Sequence, residues 1–135
     1  MYIKQIYTNC LAQASYYVES NGEAIIIDPI RDSAPYLELL KKRKTKLKYI
    51  FETHFHADFV SGHVELAKIT QADIVFGPNA DTSYKCIIAH DRQDFCVGEL
   101  IFRAIHTPGH TMESTCYLLL TKSQDEKAIF TRDFL

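Results

Sequence analysis

Three short apolar runs, AIIID (24–28), KYIF (48–51) and ADIVF (72–76), are separated by segments with helical character. That alternation most constrains the fold. A strand that leaves its sheet through a helix and returns beside itself makes a crossover, so the pattern predicts a sheet whose strands are linked by two helices. The first helix starts after Ser33, a residue able to cap it, has Pro35 in its first turn and runs through YLELLKKRK. Leu37, Leu39 and Leu40 fall on its expected buried side. Ser61 or Gly62 begins the second helix, HVELAKIT. Before the first crossover, MYIKQIYT and ASYYVES read as strands, and Asn21-Gly22 is a hairpin turn leading into EAIIID. Asp28-Pro29 closes that strand. After a polar stretch, CIIAH, ELIFRAIHT, STCYLLLT and KAIFTRDFL are all strand-like. Strands predominate, and 135 residues without a linker or repeat make one domain, 1–135.

Charge excludes some partners. The net charge is −2 with 24% charged residues, so neither nucleic acid nor an acidic membrane is an expected partner. The run KKRKTKLK (41–48) is better explained as a solvated helix C-terminus than as a phosphate patch. Apolar runs are too short to cross a membrane, and the first residues lack the pattern of a secretory signal. Cys10, Cys86, Cys96 and Cys116 form no C-x-x-C pair and read as reduced thiols, which implies a cytoplasmic location.

The chemistry is concentrated in THFHADFVSGH (53–63). His54 and His56, two apart at a strand end, can turn both rings to one side, and Asp58 adds a carboxylate. A second loop, His106-Thr107-Pro108-Gly109-His110, places His110 after a Pro-Gly turn, and Asp133 ends the run IFTRD. Three successive strand ends thus each present a candidate ligand, as a metal centre with open positions requires. His63 is expected to be exposed or packed, and His90 solvent-facing. His106 could support His110, and Asp28 is expected to hold the metal loops by hydrogen bonds.

These motifs, THFHAD, HTPGHT and the downstream IFTRD, resemble the metallo-β-lactamase superfamily, whose signature is H-x-H-x-D-H. LAQASYYV, AIIIDPIRD, ETHFHADFVSGHVELA and HTPGHTMESTCYLL are similar to its persulfide dioxygenase (sulfur dioxygenase) branch. The resemblance implies an α/β fold: the N-terminal half of an αββα sandwich, with a mostly antiparallel or mixed sheet and two crossover helices. It implies one Fe(II) held by His54, His110 and Asp133, with His56 and Asp58 as catalytic residues orienting ligands or water. The implied reaction oxidises a low-molecular-weight thiol persulfide to sulfite with O2. Phe59 stands where dinuclear hydrolases carry a histidine, which argues for one metal instead of two. The alternative is a zinc-dependent hydrolase of glyoxalase II type; a third reading is a catalytically silent interaction module.

Two departures from the family stand out. Arg132 replaces the glycine of T-G-D, and the chain stops at Leu135. The resemblance therefore implies that the second sheet and its covering helices are missing. An uncovered sheet face would then drive self-association.

Overall fold

The computed structural model describes residues 1–8, 13–53, 63–78, 80, 84–107 and 114–131. Ten strands and two helices appear in the order β1 (Tyr2–Thr8), β2 (Gln13–Ser20), β3 (Glu23–Ile27), α1 (Ala34–Arg43), β4 (Lys46–Phe51), α2 (His63–Thr70), β5 (Asp73–Phe76), β6 (Ile87–Ile88), β7 (Asp94–Val97), β8 (Leu100–His106), β9 (Thr115–Thr121) and β10 (Glu126–Phe130). The first six strands form one sheet in sequence order; β10-β9-β8-β7 form another. Strands β1 to β3 pair antiparallel, whereas β3, β4, β5 and β6 run parallel. The expected mixed α/β architecture with two crossover helices is therefore present, and both helices cover one face of the first sheet.

Side-chain alternation along the strands divides the core in two. Tyr17, Ala24, Ile26 and Ile50 meet Tyr36, Leu39 and Leu40 of α1 and Leu66 of α2. The opposite face, with Val18, Ile25, Ile27, Phe51 and Val75, packs on Phe95, Phe102, Tyr117, Leu119 and Phe130 of the second sheet. Phe51 is its hub, with ring centroids 4.6 Å from Tyr117 and 5.4 Å from both Phe95 and Phe102. The second sheet is thus not missing, and the face expected to be open is filled. That removes the reason for self-association drawn from an uncovered first sheet.

Smaller corrections follow local physics. Ser33 makes no capping bond; Asp32 Oδ1 instead accepts from the Ala34 N–H at 3.0 Å. Leu39 and Leu40 are buried but Leu37 only partly so. CIIAH shrinks to Ile87–Ile88, and DFCV, between CIIAH and ELIFRAIHT and not expected as a strand, is one with alternating burial. His90 is exposed, as expected. Within the basic run, Arg43 pairs with Glu19 at 2.6 Å and lies over the Tyr2 ring, an intramolecular use of that charge.

At the end where β3 and β4 begin, the sheets are fastened together. The Gly98 N–H donates to Glu23 Oε1 at 2.7 Å, the Glu99 N–H to Ser20 Oγ at 3.1 Å, and Lys48 Nζ to the Cys96 carbonyl at 2.9 Å. Gly98 has φ +55°, and a Cβ there would lie 2.1 Å from the Ser20 carbonyl oxygen. Backbone cannot yield as a flexible side chain would. Gly98→Ala is therefore expected to destabilise by about 1–3 kcal/mol from crowding, with roughly 1–2 kcal/mol more from the left-handed backbone. Urea unfolding checks this; a midpoint equal to that of the parent would show that the turn has room to move.

Candidate metal centre

Parallel strands leave their carboxyl ends together, and open sheets bind ligands beyond such ends. Here β3 is followed by Asp28, and β4 by Glu52 and Thr53, immediately before His54. All three described residues are buried. Asp28 has φ +51°, a conformation that Asp tolerates better than most residues. Its Oδ1 accepts from the Thr53 N–H at 2.9 Å and its Oδ2 from the Thr53 hydroxyl at 2.5 Å. Asp28 therefore holds the root of the first candidate loop, the role expected of it.

The second sheet brings the other roots to the same place. The Thr115 N–H donates to the Thr53 carbonyl at 2.8 Å, and the Thr107 N–H to the Ser114 carbonyl at 2.8 Å. The segment 108–113 therefore leaves and returns between bonded neighbours, and its base is tied to Thr53. Tyr117, fully buried, donates its hydroxyl to the Glu52 carbonyl at 2.9 Å. Burial raises this phenol well above its ordinary pKa, with the charges of Asp28 and Glu52 adding to the effect, so it remains a donor. Tyr117 also faces Phe130 across the ladder, which sets the end of β10 beside the other two roots. His106 ends β8, partly buried, with its N–H donating to Asp91 Oδ1 at 2.8 Å.

The candidate ligands His54, His110 and Asp133 lie outside the described residues, as do His56, Asp58, Phe59, Ser61, Gly62, Cys10 and Arg132. What the structure brings together is their roots: Thr53, the Thr107–Ser114 pair, and Phe130–Thr131. Among the described residues no group of three or more His, Cys, Asp or Glu could hold a metal. Two imidazoles and a carboxylate on these roots suit either Zn(II) or Fe(II) in chemical type.

Sequence reasoning missed a polar chain behind the first loop. His63 opens α2 and is 5% exposed; its Nδ1 lies 3.0 Å from Glu52 Oε1, and its Nε2 is 2.6 Å from the Tyr84 hydroxyl. The signal available was a glutamate directly after an apolar strand, where an apolar residue packs more easily. Burial lowers the His63 pKa from 6.5 to about 4, against the opposing pull of the Asp28 charge. His63 Nε2 and the Tyr84 hydroxyl share one hydrogen bond, whose donor is set by the tautomer of the ring. Burial likewise raises the Tyr84 phenol, with the Glu52 charge second.

A pH dependence follows. Between pH 6.5 and 4 the unfolded chain binds a proton on His63 that the folded chain excludes, so stability is complete above pH 6.5 and falls as pH drops through that window. The loss reaches as much as about 3 kcal/mol. Urea melts at pH 7 and pH 4.5, compared with those of His63→Asn, measure it; a variant with the parent's pH slope would assign the loss to other groups.

Comparisons with known proteins agree with this geometry. Residues 8–85 match the model of the metallo-beta-lactamase superfamily. Cytoplasmic hydroxyacylglutathione hydrolase from Arabidopsis thaliana is 30% identical over 98% of this chain and 53% of its own length. The cytoplasmic isozyme of that hydrolase from Saccharomyces cerevisiae is 31% identical over 85% of this chain and 44% of its own. The chain spans about half the length of these curated relatives. Among solved structures, a metallo-beta-lactamase from Staphylococcus aureus superposes with TM-score 0.88 at 35% identity, covering 100% of this chain and 44% of that one. ETHE1 from Myxococcus xanthus gives 0.80 at 29% identity, covering 88% and 54%.

Proposed function

The chain belongs to the metallo-beta-lactamase superfamily, and from that footing we propose that it carries the metal-binding part of an enzyme acting on a small thiol conjugate, with thioester hydrolysis as the reaction. The observation that carries this reading is the Thr115–Thr53 hydrogen bond, which joins the roots of two ligand-bearing loops across the sheets. The curated relatives, named as hydroxyacylglutathione hydrolases, supply the substrate class. His54, His110 and Asp133 would hold the metal, and His56 and Asp58 would orient ligands or water from beside it. A bound Zn(II) supplies Lewis acidity toward a carbonyl oxygen and acidifies water. Asp28, Thr53, Thr115 and Tyr117 keep the roots of these loops in place.

A second reading, persulfide oxidation at a single Fe(II), is favoured by one residue. Phe59 has no lone pair to offer where dinuclear hydrolases place a histidine, and two histidines with one carboxylate suit non-haem iron. Elemental analysis of the purified protein, paired with two assays, separates the readings. Zinc with cleavage of a hydroxyacylglutathione thioester supports hydrolysis; iron with O2 uptake on glutathione persulfide supports oxidation. A folded protein that takes up neither metal, even under anaerobic Fe(II) loading, is the outcome expected of a silent module.

A further inference from the structure

The strand β1 ends the first sheet: it pairs with β2 on one side, and among the described residues no strand pairs with its other side. Seven residues long, that edge offers about 23 Å of backbone at the usual strand rise. Alternation puts Tyr2, Lys4 and Ile6 toward α1 and turns Ile3 and Gln5 the other way. Tyr2 and Ile6 accordingly pack in the helix-side core, and Gln5 Nε2 donates to the Tyr16 hydroxyl at 3.3 Å. A groove of 450 Å³ runs beside this edge, with Lys4, Gln5 and Ile6 on one wall. Three consecutive strand residues line one groove only if it wraps the strand's edge, because a face would show every second one. The other wall is Pro35, Glu38, Leu39 and Lys42 of α1, a single helical stripe at i, i+3, i+4 and i+7.

Such an edge is a template for another strand, and its surroundings decide which kind. Lys4 and Lys42 line the groove against one acid, Glu38. Neither lysine makes an ion pair among the described residues, whereas Arg43 in the same last turn is paired with Glu19. The whole chain is net −2, so this local positive excess is not a general property of the surface. A second copy of β1 fits poorly here. In antiparallel registers centred on Ile3, Lys4 or Gln5, the two copies of Lys4 fall opposite or diagonal to each other, where like charges repel. An acidic side chain opposite Lys4, with apolar ones opposite Tyr2 and Ile6, meets no such conflict.

We propose that the free edge of β1 and the α1 stripe beside it dock an extended peptide of a partner protein, which adds a strand to the first sheet and sets an acidic side chain between Lys4 and Lys42. Main-chain bonds to the edge give affinity, and the alternate side chains that enter the groove give the choice of sequence. Lys4 then serves twice, by attracting an acidic strand and by refusing another β1. None of these residues belongs to the metal reading, so the two stand or fall separately.

The test uses the full chain and a fluorescein-labelled peptide, Thr-Val-Thr-Glu-Thr-Val-Thr, read by fluorescence polarisation, with lysine in place of the glutamate as the control. The glutamate peptide is expected to bind about fivefold more tightly than the control, and to lose that advantage as salt rises. Lys4→Glu, at an exposed position, is expected to reverse the preference, and Lys42→Glu serves if that variant does not fold. Hydrogen exchange should slow at alternate amides of residues 2–8 when the peptide binds, since a paired strand protects every second amide of an edge. No binding, equal binding of the two peptides, or an unchanged preference in the variant overturns the proposal. Binding that leaves the β1 amides unprotected overturns strand addition. A chain that sediments as a dimer with those amides already protected assigns the edge to a second copy and overturns it as well.

Discussion

Asp28→Ala is expected to lower stability by about 4–8 kcal/mol. Two hydrogen bonds to an ionised carboxylate contribute roughly 1.5–3 kcal/mol each, and both converge on Thr53, which is 0% exposed. Removing the acceptor leaves an amide and a hydroxyl to find partners where water does not reach. Alanine at φ +51° adds about 1–2 kcal/mol of backbone strain. Asp28→Asn separates these causes: it tolerates the left-handed backbone and keeps one acceptor, so about half the loss should return. Denaturant unfolding of both variants provides the comparison. A loss below 1 kcal/mol in Asp28→Ala would mean that Thr53 finds another acceptor without cost. Because Thr53 immediately precedes His54, the alanine variant should also bind metal more weakly at temperatures where it remains folded.

The second large effect is on activity and separates ligands from their neighbours. His54→Ala and His110→Ala are each expected to lose the metal and to reduce kcat/KM by more than about 100-fold, since even residues that only orient a ligand typically cost 10–100-fold. His56→Ala should retain one metal and lose less. If instead His56→Ala empties the site as completely as His54→Ala, a shared two-metal centre replaces the single-metal assignment. Phe59→His probes the same question from the other side. Supplying the missing imidazole should raise the bound metal above one per chain, and a stoichiometry still at one would show that Phe59 is not what limits it. Metal per chain, measured by elemental analysis after dialysis, decides both.

Much of the frame was legible because it is local. Asn21-Gly22 turns the β2–β3 hairpin, with Ser20 facing Glu23 across the ladder, and the helices stand where the leucine spacing and Pro35 put them. The strand β7 was not legible, because Asp94–Val97 offers only two inward residues amid polar neighbours. The second sheet was misjudged for a different reason: chain length relative to a family says nothing about which layer the later strands enter. Their apolar alternation, Phe102 and Ala104 in β8 against Tyr117 and Leu119 in β9, already demanded a partner face. Motif residues such as His54 and His110 suggest a chemistry by type and spacing, although they lie outside the described residues. Glu52, His63 and Tyr84 do not, because their partnership joins the end of one strand to a helix start and to a residue beyond the next strand. No periodicity records such a meeting.

The turn at Gly98 has a consequence that concerns motion. Two plates joined at one edge can still swing open at the other. Here Gly98, Glu99 and the Cys96 carbonyl pin one end, and Thr115 on Thr53 pins the far end. Bodies pinned at both ends have no hinge left between them. The two sheets are therefore expected to unfold as one body, with the roots at Thr53 and Thr115 released only when both sheets are.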